Sequence, residues 1–292
     1  MEYLLLALAT IASSTKALVL KRLGRDIKDN SEIYMLNSAI FLVASVIVAI
    51  YALTVKADFS VSLYTAILAL LFSITLVFSQ LTETFAMKHG SASMTILLYS
   101  LGLIFPIIYG SIFLSEKISP MQIFGMILIF LALYFIVNPK LDGKISFLWL
   151  ALALLASFGS GLTAIIQKIQ QSSEYSAELL PFLVFAFVFA SVWSLSVSLF
   201  CDKEKKKQGR IKKVFSEWKF ILFSGVAIGL LNILNLTLAG KLRAIVQFPI
   251  YNIGGMILTG IGGRVIFGEK LSRTQLVGFI IGCAAILIIG LF

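Results

Sequence analysis

Three charged side chains stand inside long apolar runs of this chain: Lys16, Glu83 and Arg264. A charge in a low-dielectric layer needs a partner, a water-filled path or a route to the surface. Each lies five positions before a further charged residue (Lys21, Lys88 and Glu269), which places all three about 7 Å below the same interface. The chemistry on offer is ion pairing. Glu83 paired with Lys16 or Arg264 across a cavity mouth makes a gate, with one cation left for an acidic solute group. No pattern for bond-making accompanies them: the chain has no phosphate-binding glycine loop, nucleophile elbow or pair of catalytic carboxylates.

Between these charges run stripes of neutral polar residues. Thr10, Ser13 and Lys16 share one helical face, as do Ser157, Ser160, Thr163 and Gln167. Ser79 with Glu83, Asn232 with Asn235, and Tyr99, Gln247, Tyr251 and Asn252 continue the pattern. Single hydroxyls in such positions ordinarily bond between helices. Amides need several partners at once, which a polar cavity supplies. The candidate substrate-binding set is therefore Ser13, Lys16, Ser79, Glu83, Tyr99, Ser160, Asn232, Asn235, Gln247, Tyr251 and Asn252, with Lys16, Glu83 and Arg264 as the gate. His89 reads as a solvated loop residue, and Cys201 and Cys283 lack ligand spacing. No catalytic residue, metal site or cofactor is expected.

The elements that hold these residues are apolar helices. With 59% hydrophobic and 13% charged residues, lipid is the solvent for most of the chain. Apolar segments run near 3–20, 33–54, 62–86, 92–114 and 120–138, then 146–168, 178–201, 216–239, 244–267 and 273–292. The net charge of +10 comes from basic loops, chiefly 202–217, and is read as topological retention rather than nucleic-acid binding. Pro106 and Pro249 interrupt backbone bonding in the fourth and ninth segments. Gly254, Gly255, Gly260, Gly262 and Gly263 read as close packing or hinges, and Gly278 with Gly282 as a weak dimer signal.

One motif occurs twice, 153 positions apart: Ser115-Glu116-Lys117-Ile118-Ser119 with Gln122 and Gly125, and Gly268-Glu269-Lys270-Leu271-Ser272 with Gln275 and Gly278. Ser119 with Gln122, and Ser272 with Gln275, are capping boxes that open the last helix of each half. The expected fold is an all-α membrane protein of ten transmembrane helices. Because five spans per half is odd, the two repeats, 1–140 and 145–292, must be inverted with respect to each other.

This layout resembles the drug/metabolite transporter superfamily, in particular its EamA-type ten-helix members. The residues that carry the resemblance are Gly268-Glu269-Lys270-Leu271, the copy from Ser115, and Ala86-Met87-Lys88 through Tyr99 and Pro106. The resemblance implies a secondary-active or facilitative carrier of a small organic metabolite (amino acid, amine, sugar or nucleotide-like solute) by alternating access, without ATP hydrolysis. It implies an integral multi-pass protein of a bacterial or archaeal cell membrane. Its partners would be a solute, lipid and a coupling ion (H+ or Na+), as a monomer or weak homodimer. The rival reading is a membrane-embedded enzyme or a receptor-like bundle without transport, which leaves an inverted repeat unexplained.

Overall fold

The structure, a computed structural model, describes residues 2–27, 29–137, 146–200, 216–239, 241–242, 244–270 and 272–291. Cys201, the basic stretch 203–213, the junction 138–145 and the side chains of Gln247, Pro249, Asn252 and Gln275 lie outside the described set. The described chain is helical throughout: α1 (Glu2–Asp26), α2 (Asn30–Thr54), α3 (Leu63–His89), α4 (Ala92–Tyr99), α5 (Ile104–Phe113), α6 (Pro120–Val137), α7 (Phe147–Ser172), α8 (Leu179–Phe200), α9 (Trp218–Ala239), α10 (Ala244–Phe267) and α11 (Arg273–Leu291). Serines open several of them. Ser62, Ser91 and Ser146 each accept a hydrogen bond from the amide three residues on, filling one of the helix's orphan donors. Ser119 and Gln122 form the reciprocal capping box before α6.

Among the described residues, seven stretches are long and apolar enough to cross a membrane, and three shorter apolar stretches lie in α6, α10 and α11. Outward faces are as apolar as inward ones. Leu42, Val46, Ile50 and Leu53 of α2 are all exposed, as a helix solvated by lipid requires.

The fourth apolar segment departs from the single helix expected of it. It breaks into α4, a 3-10 turn at Ser100–Leu103, and α5. Pro106 lacks an N–H, and its ring opposes the carbonyl four residues back, that of Gly102, so the preceding turn tightens. The break faces the interior: Tyr99, Gly102 and Pro106 all line the central cavity.

Helix pairing runs between the two ends of the sequence. α2 packs on α8 and α9, α3 on α7 and α8, α1 on α9 and α10, and α6 on α11. Helices α2 and α8 run antiparallel with a ladder of serines at heptad spacing. Ser38 and Ser191, 153 positions apart, meet hydroxyl to hydroxyl at 3.1 Å. Ser45 donates to the Val184 carbonyl on one side of that contact, and Ser198 to the Ser31 carbonyl on the other. Glycines permit the closest approaches, as at Gly254, where any Cβ would strike Thr10 of α1. Gly282 is taken up inside the molecule, against Leu97 and Ala132, and is not on an outer face.

The two motif turns have the same backbone. Ser115 and Gly268 both adopt left-handed φ, +56° and +67°. The following glutamate amides reach back alike, Glu116 N to Gly110 O (3.0 Å) and Glu269 N to Gly263 O (3.2 Å). Helix α3 fixes their relative position. Near its start, Thr65 accepts a hydrogen bond from Gln170 in the last turns of α7. At its other end, Met87 and Gly90 receive Lys21 of α1.

Candidate functional site

A cavity of about 70 Å³ lies between residues of the two sequence halves. From the first half, Ser13, Lys16, Ser79, Gln80, Glu83 and Tyr99 reach it. From the second come Ser160, Thr163, Gln167, Asn232, Asn235 and Tyr251. Every expected substrate-binding residue with a described side chain is therefore on this wall. Gln247 and Asn252 belong to the side chains outside the described set.

The centre of the wall is an ion pair. Lys16 Nζ donates to Glu83 Oε2 at 2.8 Å, and the two residues are only 8% and 1% exposed. The ammonium also sits 5.2 Å from the centre of the Tyr99 ring, a cation–π distance. Each position follows from the helices: Lys16 is on the polar stripe of α1, Glu83 on that of α3, and Tyr99 at the α4 break. Arg264, the third member of the expected gate, is not brought to this pair. It is exposed on the outer face of α10, in a groove shared with Glu269 and Lys270. The cavity thus holds balanced charge and no surplus cation among the described residues.

Several polar groups on the wall serve each other. Ser79 donates to the Ala156 carbonyl (3.0 Å), so its hydroxyl ties α3 to α7. Gln167 Nε2 donates to Asn232 Oδ1 (3.3 Å), and Asn232 Nδ2 to the Ile228 carbonyl (3.0 Å). Gln80, absent from the sequence-derived set, donates from Nε2 to Asn37 Oδ1 (2.6 Å), while its Oε1 has no hydrogen-bond partner. It lies three residues before Glu83 and therefore on the same face of α3.

Two further ion pairs close the ends of the bundle, and both use the repeated motif. Glu269 lies 3.5 Å from Lys21 and accepts the Ala92 amide at 2.7 Å. Glu116 lies 3.3 Å from Lys168, which also donates to the Leu242 carbonyl at 3.0 Å. All four side chains are largely buried, from 4% to 13% exposed. Each pair joins the last turns of α1 or α7 to the motif turn of the other half. They sit at opposite ends of α3, Lys21 against its last turn and Lys168 near its first. Between Thr65 and Met87 the axial rise is about 33 Å, close to the thickness of a hydrocarbon core.

An all-helical bundle with lipid-type outer faces and a polar, ion-paired interior is the architecture of an integral multi-pass membrane protein. Residues 1–138 match the model of the EamA-like transporter family, part of the drug/metabolite transporter superfamily, so the resemblance read from the motifs holds over that stretch. That family consists of membrane transporters of small solutes. The chain is similar in fold to a crystal structure described only as that of a protein, at a TM-score of 0.68 and 10% identity, covering 97% of this chain and 98% of that one. None of the curated proteins compared matches the chain.

Proposed function

We propose that this protein is a secondary-active or facilitative carrier of a small organic metabolite, working by alternating access between two inverted five-helix repeats, residues 1–140 and 145–292. The observation that carries this reading is the pair of end closures. Lys21–Glu269 and Lys168–Glu116 stand on opposite sides of one polar cavity. The supporting geometry shares the motif's own offset: the turns at Ser115 and Gly268, and the Ser38–Ser191 contact, are each 153 positions apart. The family match ends at 138, one residue beyond α6, which supports reading the first five-helix repeat as a unit.

In this mechanism each motif glutamate latches its own end. Breaking Lys21–Glu269 opens one mouth while Lys168–Glu116 holds the other shut, and a half-turn of roles opens the opposite side. Gating is thereby assigned to the outer pairs, and the Lys16–Glu83 pair, set in the cavity wall, is left to the solute. A discontinuous fourth segment beside the cavity is the usual construction where irregular backbone faces a solute.

The test is counterflow with purified protein in liposomes loaded with a labelled metabolite mixture. Saturable exchange in the absence of ATP is the expected result. Movement only with ATP, or no exchange of any solute, refutes the carrier.

A further inference from the structure

The charged groups of the cavity are incompletely used. Among the described residues, the Lys16 ammonium donates only to Glu83 Oε2, leaving two of its three N–H groups, and the second Glu83 oxygen accepts nothing. Gln80 Oε1, on the same face of α3 and only 1% exposed, is also without a partner. A buried amide oxygen left unmatched in a polar cavity points to a donor that arrives with a ligand. The wall therefore offers two acceptors side by side, Glu83 and Gln80, and a cation opposite them.

Charge balance narrows the ligand further. Lys16 and Glu83 neutralise each other, so a solute of net charge would bury an uncompensated ion, the costliest arrangement in such a site. A molecule bearing both charges splits the pair instead, and every ion keeps an opposite neighbour. Size sets the other limit. A buried water needs about 10–15 Å³ of such space, so the 70 Å³ cavity holds roughly five to seven waters' worth of atoms.

Resting on the carrier reading above, we infer that the solute is a small zwitterion whose ammonium binds between Glu83 and Gln80 and whose carboxylate takes Lys16, inserting into the Lys16–Glu83 ion pair.

Four probes of nearly equal shape separate the possibilities: alanine (zwitterion), alaninamide (cation), lactate (anion) and lactamide (uncharged). Binding is read as the shift in Tm of the full-length protein in detergent, and transport as uptake into liposomes. Alanine is expected to stabilise the wild type at least tenfold more efficiently by concentration than the other three. Glu83→Gln should turn the preference to lactate and Lys16→Met to alaninamide. Where a single variant leaves a lone buried charge and folds poorly, the neutral double variant Lys16→Met/Glu83→Gln serves, with alanine affinity reduced about 10- to 100-fold and lactamide now favoured. An unchanged ranking of probes in the double variant overturns the inference, as does a wild type that favours lactamide. Exchange of other metabolites with no alanine-dependent shift overturns it while leaving the carrier intact. An alanine shift that depends on Lys16 and Glu83, without exchange of any solute, supports the pair-splitting site and refutes the carrier.

Discussion

Replacing Glu269 with glutamine removes one charge at one end of the bundle while keeping the acceptor that Ala92 uses. At 3.5 Å from Lys21, with side chains 13% and 10% exposed, the pair has a Coulomb attraction of about 5 kcal/mol at an effective dielectric near 20. Desolvation offsets part of that, and Lys21 keeps its bonds to the Met87 and Gly90 carbonyls, so a net loss of about 2–3 kcal/mol is expected for this end. Such a loss shifts a two-state equilibrium by roughly 30- to 150-fold, enough to turn a mouth open about 1% of the time into one open near half of the time. The assay is sided labelling of Ser13→Cys on the cavity wall, in a background of Cys201→Ser and Cys283→Ala, with a membrane-impermeant maleimide. Glu269→Gln should speed labelling from the Lys21 side only, and Glu116→Gln from the opposite side only. If both variants speed labelling from the same face, or neither changes it, the two pairs are not latches at opposite mouths.

Other outcomes follow from particular contacts. Gly268→Ala should lower stability by about 1–2 kcal/mol in a detergent melt, because a Cβ is strained at φ +67°, whereas Ser115→Gly in the equivalent turn should raise it. Ser191→Ala should cost about 1 kcal/mol by stranding part of the serine ladder, and adding Ser38→Ala should cost little more, as a double-mutant cycle measures. Pro106→Ala restores the missing amide and should convert the Ser100–Leu103 turn to regular helix, slowing solute exchange without lowering Tm, which is read from uptake and thermal unfolding together.

Much of the cavity was legible in the sequence because lipid makes polar residues scarce. In an apolar run, a Ser13–Lys16 or Ser79–Glu83 stripe marks a face that packing must turn inward. The repeated turn was legible for a related reason, since a capping box leaves a fixed signature, whereas the left-handed backbone at Ser115 was not, because serine does not mark it. What stayed hidden depends on helix rotation and tertiary partners. Arg264 has the depth expected of a gate residue, but at about 100° per residue it stands about 140° round α10 from the cavity-facing Tyr251, and depth alone takes no account of that rotation. Gln80 sits beside Ser79 and outside the 79–83 stripe, though its three-residue spacing to Glu83 is a usable signal. Lys168 falls at the margin of its apolar run and reads as a loop residue. Only the packing of α7 against the α5–α6 turn reveals Glu116 as its partner. The fourth segment tightens at Ser100–Leu103, before Pro106 rather than at it, and a proline alone does not specify how far a helix tightens before it.

The central claim, that the two ends open in turn, is tested most directly by spin-label distances in lipid nanodiscs. Exposed pairs flank each mouth: His89 with Lys270 at the Lys21 end, and Lys117 with Lys241 at the Lys168 end. Glu269→Gln should lengthen the His89–Lys270 distance while Lys117–Lys241 stays short, and Glu116→Gln should do the reverse. Distances that lengthen together at both ends, or at neither, would contradict alternating access through these latches.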